Sequence, residues 1–212
     1  MAENRLLDNR RLYLCTPDRP DLESFLTSCI EGGVDIVQLR DKTLEAGPLS
    51  LRARLSVELC RDAGVPFIMN DRPDIALEVG ADGVHVGQDD VSVDLCRRIL
   101  GDQAIIGLST HAPSELDASI GKPVDYISVG PVVATPTKPG RPGTGLDYVK
   151  YASSATTRPF FITGGVTPDN IEGLIDAGAQ RFVVVRWLSE TNDPKTAATA
   201  LRKIIDERFP VI

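Results

Sequence analysis

A chain of 212 residues with 42% hydrophobic and 25% charged residues suits one domain with a substantial core and would be cramped as two. Its formal net charge of -7 speaks against a nucleic-acid surface, which needs a basic field, and no apolar run approaches the length that spans a bilayer. Residues 1–10, MAENRLLDNR, lack the apolar core of a signal peptide and read as a polar tail, so a cytoplasmic protein without nucleic-acid or membrane partners is expected.

In chain order, short β-branched runs alternate with longer amphipathic ones. The strand RLYLCT (11–16) leads to the helix-like DLESFLTSCIEGG (21–33), and VDIVQLRD (34–41) to LSLRARLSVELCRDAG (49–64). PFIMND (66–71) is followed by RPDIALEVGA (72–81), GVHVGQ (83–88) by SVDLCRRIL (92–100), and AIIGLST (104–110) by PSELDASIG (113–121). YISVGP (126–131), PFFITGG (159–165) and RFVVVRW (181–187) precede helices at 146–155, 168–178 and 194–209. The segments EGGVDIVQLR, EVGADGVHVG, IGKPVDYISVG and DAGAQRFVVV echo one another, each ending a helix in small residues before an apolar run. Eight such units over residues 11–212 predict an α/β fold, a single (β/α)8 barrel, rather than an open sheet of about five or six strands. The longest break, VVATPTKPGRPGTG (132–145), is rich in Pro and Gly and reads as a lid or binding loop.

Parallel barrels carry their active sites at the strand C-termini, and there the polar residues of this chain gather. Strand two ends in Gln38, Arg40 and Lys42, three in Asn70 and Asp71, and four in Gln88, Asp89 and Asp90. Strand five ends in Ser109, Thr110 and His111, six leads to Thr135, Thr137 and Lys138, and seven closes on Gly164 and Gly165. The strand starts are read as apolar or small. Asp71 and Asp90, on neighbouring strands, are placed to share one magnesium ion, which needs few protein ligands beside water and substrate phosphate. The competing readings are helix caps, Asp71 on RPDIALEV and Asp89 on SVDLCRRIL. At the seventh junction, Thr167 before Pro168 reads as a helix start with proline at its first position, turning free amides toward a phosphate beside the two glycines.

Other signals are weaker. GRPGTG lacks the GK[ST] of a phosphate loop and GADGVHVG lacks GxGxxG spacing. Cys15, Cys29, Cys60 and Cys96 have no CxxC spacing and read as buried thiols. His85, in mid-strand, reads as a packing histidine, and His111 as the better site candidate; Phe182 and Trp187 read as packing residues.

Taken together, QLRDK, IMNDRPDIAL, GADGVHVGQDD, GLSTH, SVGPVVATPTK and ITGGV resemble the thiamine phosphate synthase family in register over nearly the whole chain. The resemblance implies transfer of a hydroxymethylpyrimidine group from its pyrophosphate to thiazole phosphate, giving thiamine phosphate and pyrophosphate. It implies that Arg40, Lys42, Asn70 and Lys138 hold pyrophosphate, that Asp71 and Asp90 bind Mg2+, and that Gln38 and Ser109 address the pyrimidine. Thr135, Thr137, Gly165 and the backbone at Val185 and Arg186 would take thiazole phosphate. One departure stands out: Val185-Arg186-Trp187 replaces the family's common small residue or serine, leaving Arg186 either on the phosphate or turned outward. Three rivals are a thiazole tautomerase using His111, a Schiff-base aldolase using Lys138, and a phosphate-binding module without chemistry. Assembly into a homo-oligomer is left open.

Overall fold

The computed structural model describes residues 5–134 and 142–210. Its eight strands are β1 (Leu12–Thr16), β2 (Ile36–Leu39), β3 (Phe67–Asn70), β4 (Gly83–Val86), β5 (Ile105–Thr110), β6 (Tyr126–Val129), β7 (Phe160–Ile162) and β8 (Phe182–Val184). Each pairs in parallel with the next and β8 returns to β1, closing the predicted barrel. The helices are α1 (Leu22–Glu31), α2 (Ala46–Asp62), α3 (Pro73–Val79), α4 (Val93–Leu100), α5 (Pro113–Asp117), α6 (Gly145–Ala155), α7 (Ile171–Asp176), α8 (Arg186–Ser189) and α9 (Pro194–Arg208). Among the described residues, no helix is long and apolar enough to cross a membrane.

The period of two along each strand builds two separate cores. Leu12, Leu14, Val37, Leu39, Phe67, Met69, Val84, Val86, Ile106 and Leu108 point outward beneath the helices. Tyr13, Cys15, Ile36, Ile68, Ile105, Tyr126, Phe161 and Val183 fill the lumen, so the barrel is packed rather than hollow. Within the segment expected as a polar tail, Arg5–Leu7 form one 3-10 turn, and Leu7 is buried against that inner cluster.

Several boundaries differ from expectation for local reasons. α2 starts at Ala46, three residues early, because Pro48 falls in the first turn, where a missing N–H is harmless. β2 stops at Leu39 instead of residue 41, although the Arg40 N–H still reaches Thr16 O at 2.8 Å. Arg186 and Trp187 belong to the unforeseen short helix α8 and not to the last strand.

The strand starts are not uniformly apolar. Asp35, Asp82 and Asp125 each stand immediately before an even-numbered strand, one in each of the first three echo segments. Asp35 accepts from the amides of Arg11 and Leu12 at 2.9 to 3.0 Å, Asp82 from Phe67 N at 2.8 Å, and Asp125 from Ile106 N at 2.7 Å. Each carboxylate thereby satisfies an entry amide of the preceding strand. Arginines complete two of these ends, Arg202 on Asp35 at 2.8 Å and Arg97 on Asp125 at 2.7 Å. In the fourth echo segment the same position holds Arg181.

Candidate active site

At the opposite end, β2 hands over to a tight turn built by Asp41. Its Oδ1 accepts from Thr43 N at 2.8 Å, Thr43 Oγ1 at 2.7 Å and Leu44 N at 2.8 Å. Burial opposes ionisation of Asp41, but these donors outweigh it and hold the carboxyl below its usual range. The turn carries Lys42 toward β3, where its Nζ lies 2.8 Å from Asp71 Oδ2.

Asp71 itself has φ +59, a left-handed conformation that Asp adopts more readily than most side chains. Its N–H donates to His85 O at 2.8 Å, fixing the residue to the end of β4. From the following loop, Asp90 folds back so that its Oδ2 accepts from Gly87 N at 2.8 Å. Burial is the main force that raises the Asp71 carboxyl above its usual range; the Lys42 ammonium opposes the rise and the Asp90 carboxylate adds to it.

Neither cap reading survives. Arg72 holds the N-cap position of α3, without a side-chain cap bond, and α4 is capped by Ser92, whose hydroxyl accepts from Leu95 N. Asp71 is thus directed at Lys42 and Asp90, and Asp90 at Asp71 and the Gly87 amide.

Gln38, Asn70 and Ser109 are buried at the top of the lumen. Gln88 bridges the ends of β4 and β5, donating from Nε2 to Ser109 O at 2.6 Å. His85 is satisfied on both ring nitrogens, by Tyr126 Oη and Ser109 Oγ, each at 2.9 Å, in keeping with a packing histidine. His111 Nδ1 lies 2.5 Å from Gly130 O, so that ring ties β5 to the start of the sixth loop. Thr110 is turned away from the mouth, its hydroxyl accepting from Tyr148 on α6 at 2.7 Å.

Between β7 and β8 opens a cleft of about 430 Å3, walled by Gly164, Gly165, Val185, Arg186, Trp187 and Thr191 among others. Gly164 and Gly165 have φ of +96 and +75, which keeps side chains out of a backbone that must lie against Pro131 and Val133. The stems of the sixth loop are pinned here: Val132 N donates to Thr163 O at 2.8 Å and Thr144 N to Pro131 O at 2.8 Å. Arg186 stands at the cleft, half-exposed, with Glu190 at 4.0 Å.

The helix start expected at Thr167–Pro168 is displaced. α7 begins at Ile171, because Asn170 Oδ1 accepts from Thr167 N at 3.0 Å and its Nδ2 donates to Gly165 O at 2.7 Å. The Thr167 amide expected to face a phosphate is thus already bonded. Thr135, Thr137 and Lys138 lie outside the described residues.

The structure thus brings Lys42, Asp71 and Asp90 together, sets Gln38, Asn70 and Ser109 under the mouth, and joins Gly165, Val185 and Arg186 in one cleft. Sequence reading assigned no role to Asp41 or Asn170, and it placed Gln88 at the end of strand four without foreseeing its bond to β5. Only Asp41 had a local cue, an Asp two residues before Thr, the pattern of an Asx turn.

These features define a class: a (β/α)8-barrel enzyme whose strand C-termini pair a charged half on β2 to β4 with a glycine-lined cleft on β7 and β8. The model of the thiamine monophosphate synthase family matches residues 12–188, and the chain belongs to that family. It is 48% identical over 203 residues to the thiamine-phosphate synthase of Thermobifida fusca, with 93% of each chain covered. Against that of Saccharopolyspora erythraea it is 45% identical over 207 residues, covering 92% of this chain and 93% of the relative. The solved thiamine phosphate pyrophosphorylase of Pyrococcus furiosus superposes with a TM-score of 0.86 at 28% identity, over 99% of this chain and 100% of that one. A 3-hexulose-6-phosphate synthase, at 18% identity and a TM-score of 0.72, shares the fold alone.

Proposed function

We propose that the chain is a thiamine-phosphate synthase, a transferase that joins hydroxymethylpyrimidine pyrophosphate to thiazole phosphate and releases pyrophosphate. One observation carries this reading: the Lys42–Asp71–Asp90 cluster and the β7/β8 cleft stand at the same end of one barrel. A single anion would not require both.

The cluster fits a magnesium ion. Two carboxylates without a cation between them repel, and Asp90 contributes to the raised Asp71 carboxyl. Among the described residues no group of three or more His, Cys, Asp or Glu could hold a metal, so the ion would draw its remaining ligands from water and pyrophosphate, as magnesium does. When bound it would supply charge stabilisation to the departing phosphate oxygens.

The chain's own residues do the rest. Lys42, Arg40 and Asn70 would hold the leaving pyrophosphate and stabilise negative charge as the carbon–oxygen bond breaks. The pyrimidine ring stabilises the cation left on its methylene carbon. Gln38 and Ser109 would hold that ring, while Gly165, Val185 and Arg186 would seat the thiazole phosphate and aim its ring nitrogen along the line of attack. No general base is needed, since the thiazole nitrogen attacks with its lone pair and carries no proton. Lys138, Thr135 and Thr137 are proposed contacts on the family pattern.

The tautomerase rival, which would use His111, has no need of the Lys42–Asp71–Asp90 cluster. The test is pyrophosphate release from the two substrates across a magnesium titration. Release that needs both substrates and saturates with magnesium supports the reading, and release from neither or from one alone overturns it.

A further inference from the structure

Inside the barrel a continuous hydrogen-bond chain joins two of the side chains just assigned to the pyrimidine. Gln38 Nε2 donates to Tyr13 Oη at 2.6 Å, and Tyr13 Oη lies 2.9 Å from Tyr126 Oη. Tyr126 Oη lies 2.9 Å from His85 Nδ1, and His85 Nε2 lies 2.9 Å from Ser109 Oγ. Behind Gln38, the Cys15 thiol donates to Oε1 at 3.3 Å. Every member is buried, and the links cross from β1 and β2 through β6 and β4 to β5. Gly107 makes the crossing possible, because a Cβ there would strike both the Tyr126 ring and His85 Nδ1.

Donor counting gives the chain a direction. Tyr13 accepts from Gln38, so its single proton goes to Tyr126; the Tyr126 proton then goes to His85 Nδ1. That leaves His85 protonated on Nε2, donating to Ser109 Oγ. Burial pushes both phenols well above the usual tyrosine range, so both keep the protons this scheme requires. The opposite direction would need the Gln38 amide to turn over, exchanging its acceptor for an NH2 against the Cys15 sulfur, a weak acceptor.

We propose that Tyr13, Tyr126 and His85 are positioning residues whose one-way hydrogen-bond chain locks the Gln38 amide and turns the Ser109 hydroxyl outward as a donor to a pyrimidine ring nitrogen. The part concerning pyrimidine rests on the function proposed above; the direction of the chain is a property of the ligand-free protein. The sequence has two histidines, so their imidazole 15N resonances can be assigned with His111→Asn as reference. A proton on His85 Nε2 with Nδ1 bare is expected, and a proton on Nδ1 overturns the direction. Tyr126→Phe should remove this tautomer preference and raise KM for the pyrimidine pyrophosphate about three- to tenfold, the worth of one hydrogen bond. KM for thiazole phosphate should stay unchanged. Tyr13→Phe cuts the chain one link earlier and should give the same KM split, which keeps the test available if Tyr126→Phe does not fold. Equal rises in both KM values mark a merely structural role and overturn the proposal, as does an unchanged pyrimidine KM. A wild-type protein inactive on the two substrates overturns the pyrimidine assignment, while the nitrogen spectrum alone still decides the direction.

Discussion

Carboxylates stand at both ends of this barrel, and they are used in opposite ways. At the N-terminal end, Asp35, Asp82 and Asp125 accept from strand amides, and arginines close over two of them. At the C-terminal end, Asp71 faces the half-exposed Lys42 and the exposed Asp90, two carboxylates against one ammonium. The first arrangement finishes the hydrogen bonding of strand amides, and the second, although Asp90 also takes the Gly87 amide, sets two carboxylates against one lysine. The difference teaches that position along a strand, and not residue type, decides whether an acidic side chain closes strand amides or stands available to a ligand.

The sharpest way to break the comparison is Asp35→Ala. It strips the shared acceptor from the Arg11 and Leu12 amides and leaves Arg202 with Asp206 alone, so unfolding in urea should show a loss of about 3 kcal/mol. Turnover per folded molecule should be unchanged; lost turnover with intact stability would show that the N-terminal end also serves catalysis. Next in size, Asp71→Asn and Asp90→Asn should each cut pyrophosphate release about a hundredfold, since charge stabilisation at a metal site is worth several kcal/mol. Neither should melt earlier than wild type in metal-free buffer. The double variant should lose less than the sum of the two if both carboxylates serve the one proposed ion.

A smaller effect concerns pH. The folded Asp71 carboxyl sits above its unfolded value, first through burial and with Asp90 adding to it, so the folded state binds more protons in that window. Stability of the metal-free protein should therefore fall as pH rises from the ordinary aspartate range through the raised folded value. Asp71→Asn should flatten that slope in denaturant titrations, and an unflattened slope would place the unbalanced charge elsewhere. The smallest effect is expected for Arg186→Ser. Its exposed pairing with Glu190 at 4.0 Å holds it weakly, and KM for thiazole phosphate should rise only about two- to threefold. A far larger rise would make Arg186 a principal phosphate ligand.

Much of the fold was legible because the apolar alternation of strands such as Ile36–Leu39 and Gly83–Val86 also dictates lumen and helix sides. The C-terminal gathering of Gln38, Lys42, Asn70, Asp71 and Ser109 was legible for the same reason: strand order maps directly onto one rim. What escaped depends on bonds between distant segments. An aspartate before an apolar run reads as turn punctuation, and nothing near Asp35 announces the amides of Arg11 and Leu12, on a strand 23 and 24 residues away. Asn170 moved a helix start by folding its side chain onto Thr167 and Gly165, against the start that Pro168 predicts.

The chain has a single tryptophan. Trp187 is 37% exposed on the wall of the β7/β8 cleft, its indole N–H anchored to Ala197 O at 3.2 Å. Intrinsic fluorescence therefore comes with a built-in address: excitation selective for indole reads one half of the mouth and is blind to the other. Order of substrate addition can be followed by emission alone, without label or coupling enzyme, as a change that one ligand produces and the other does not.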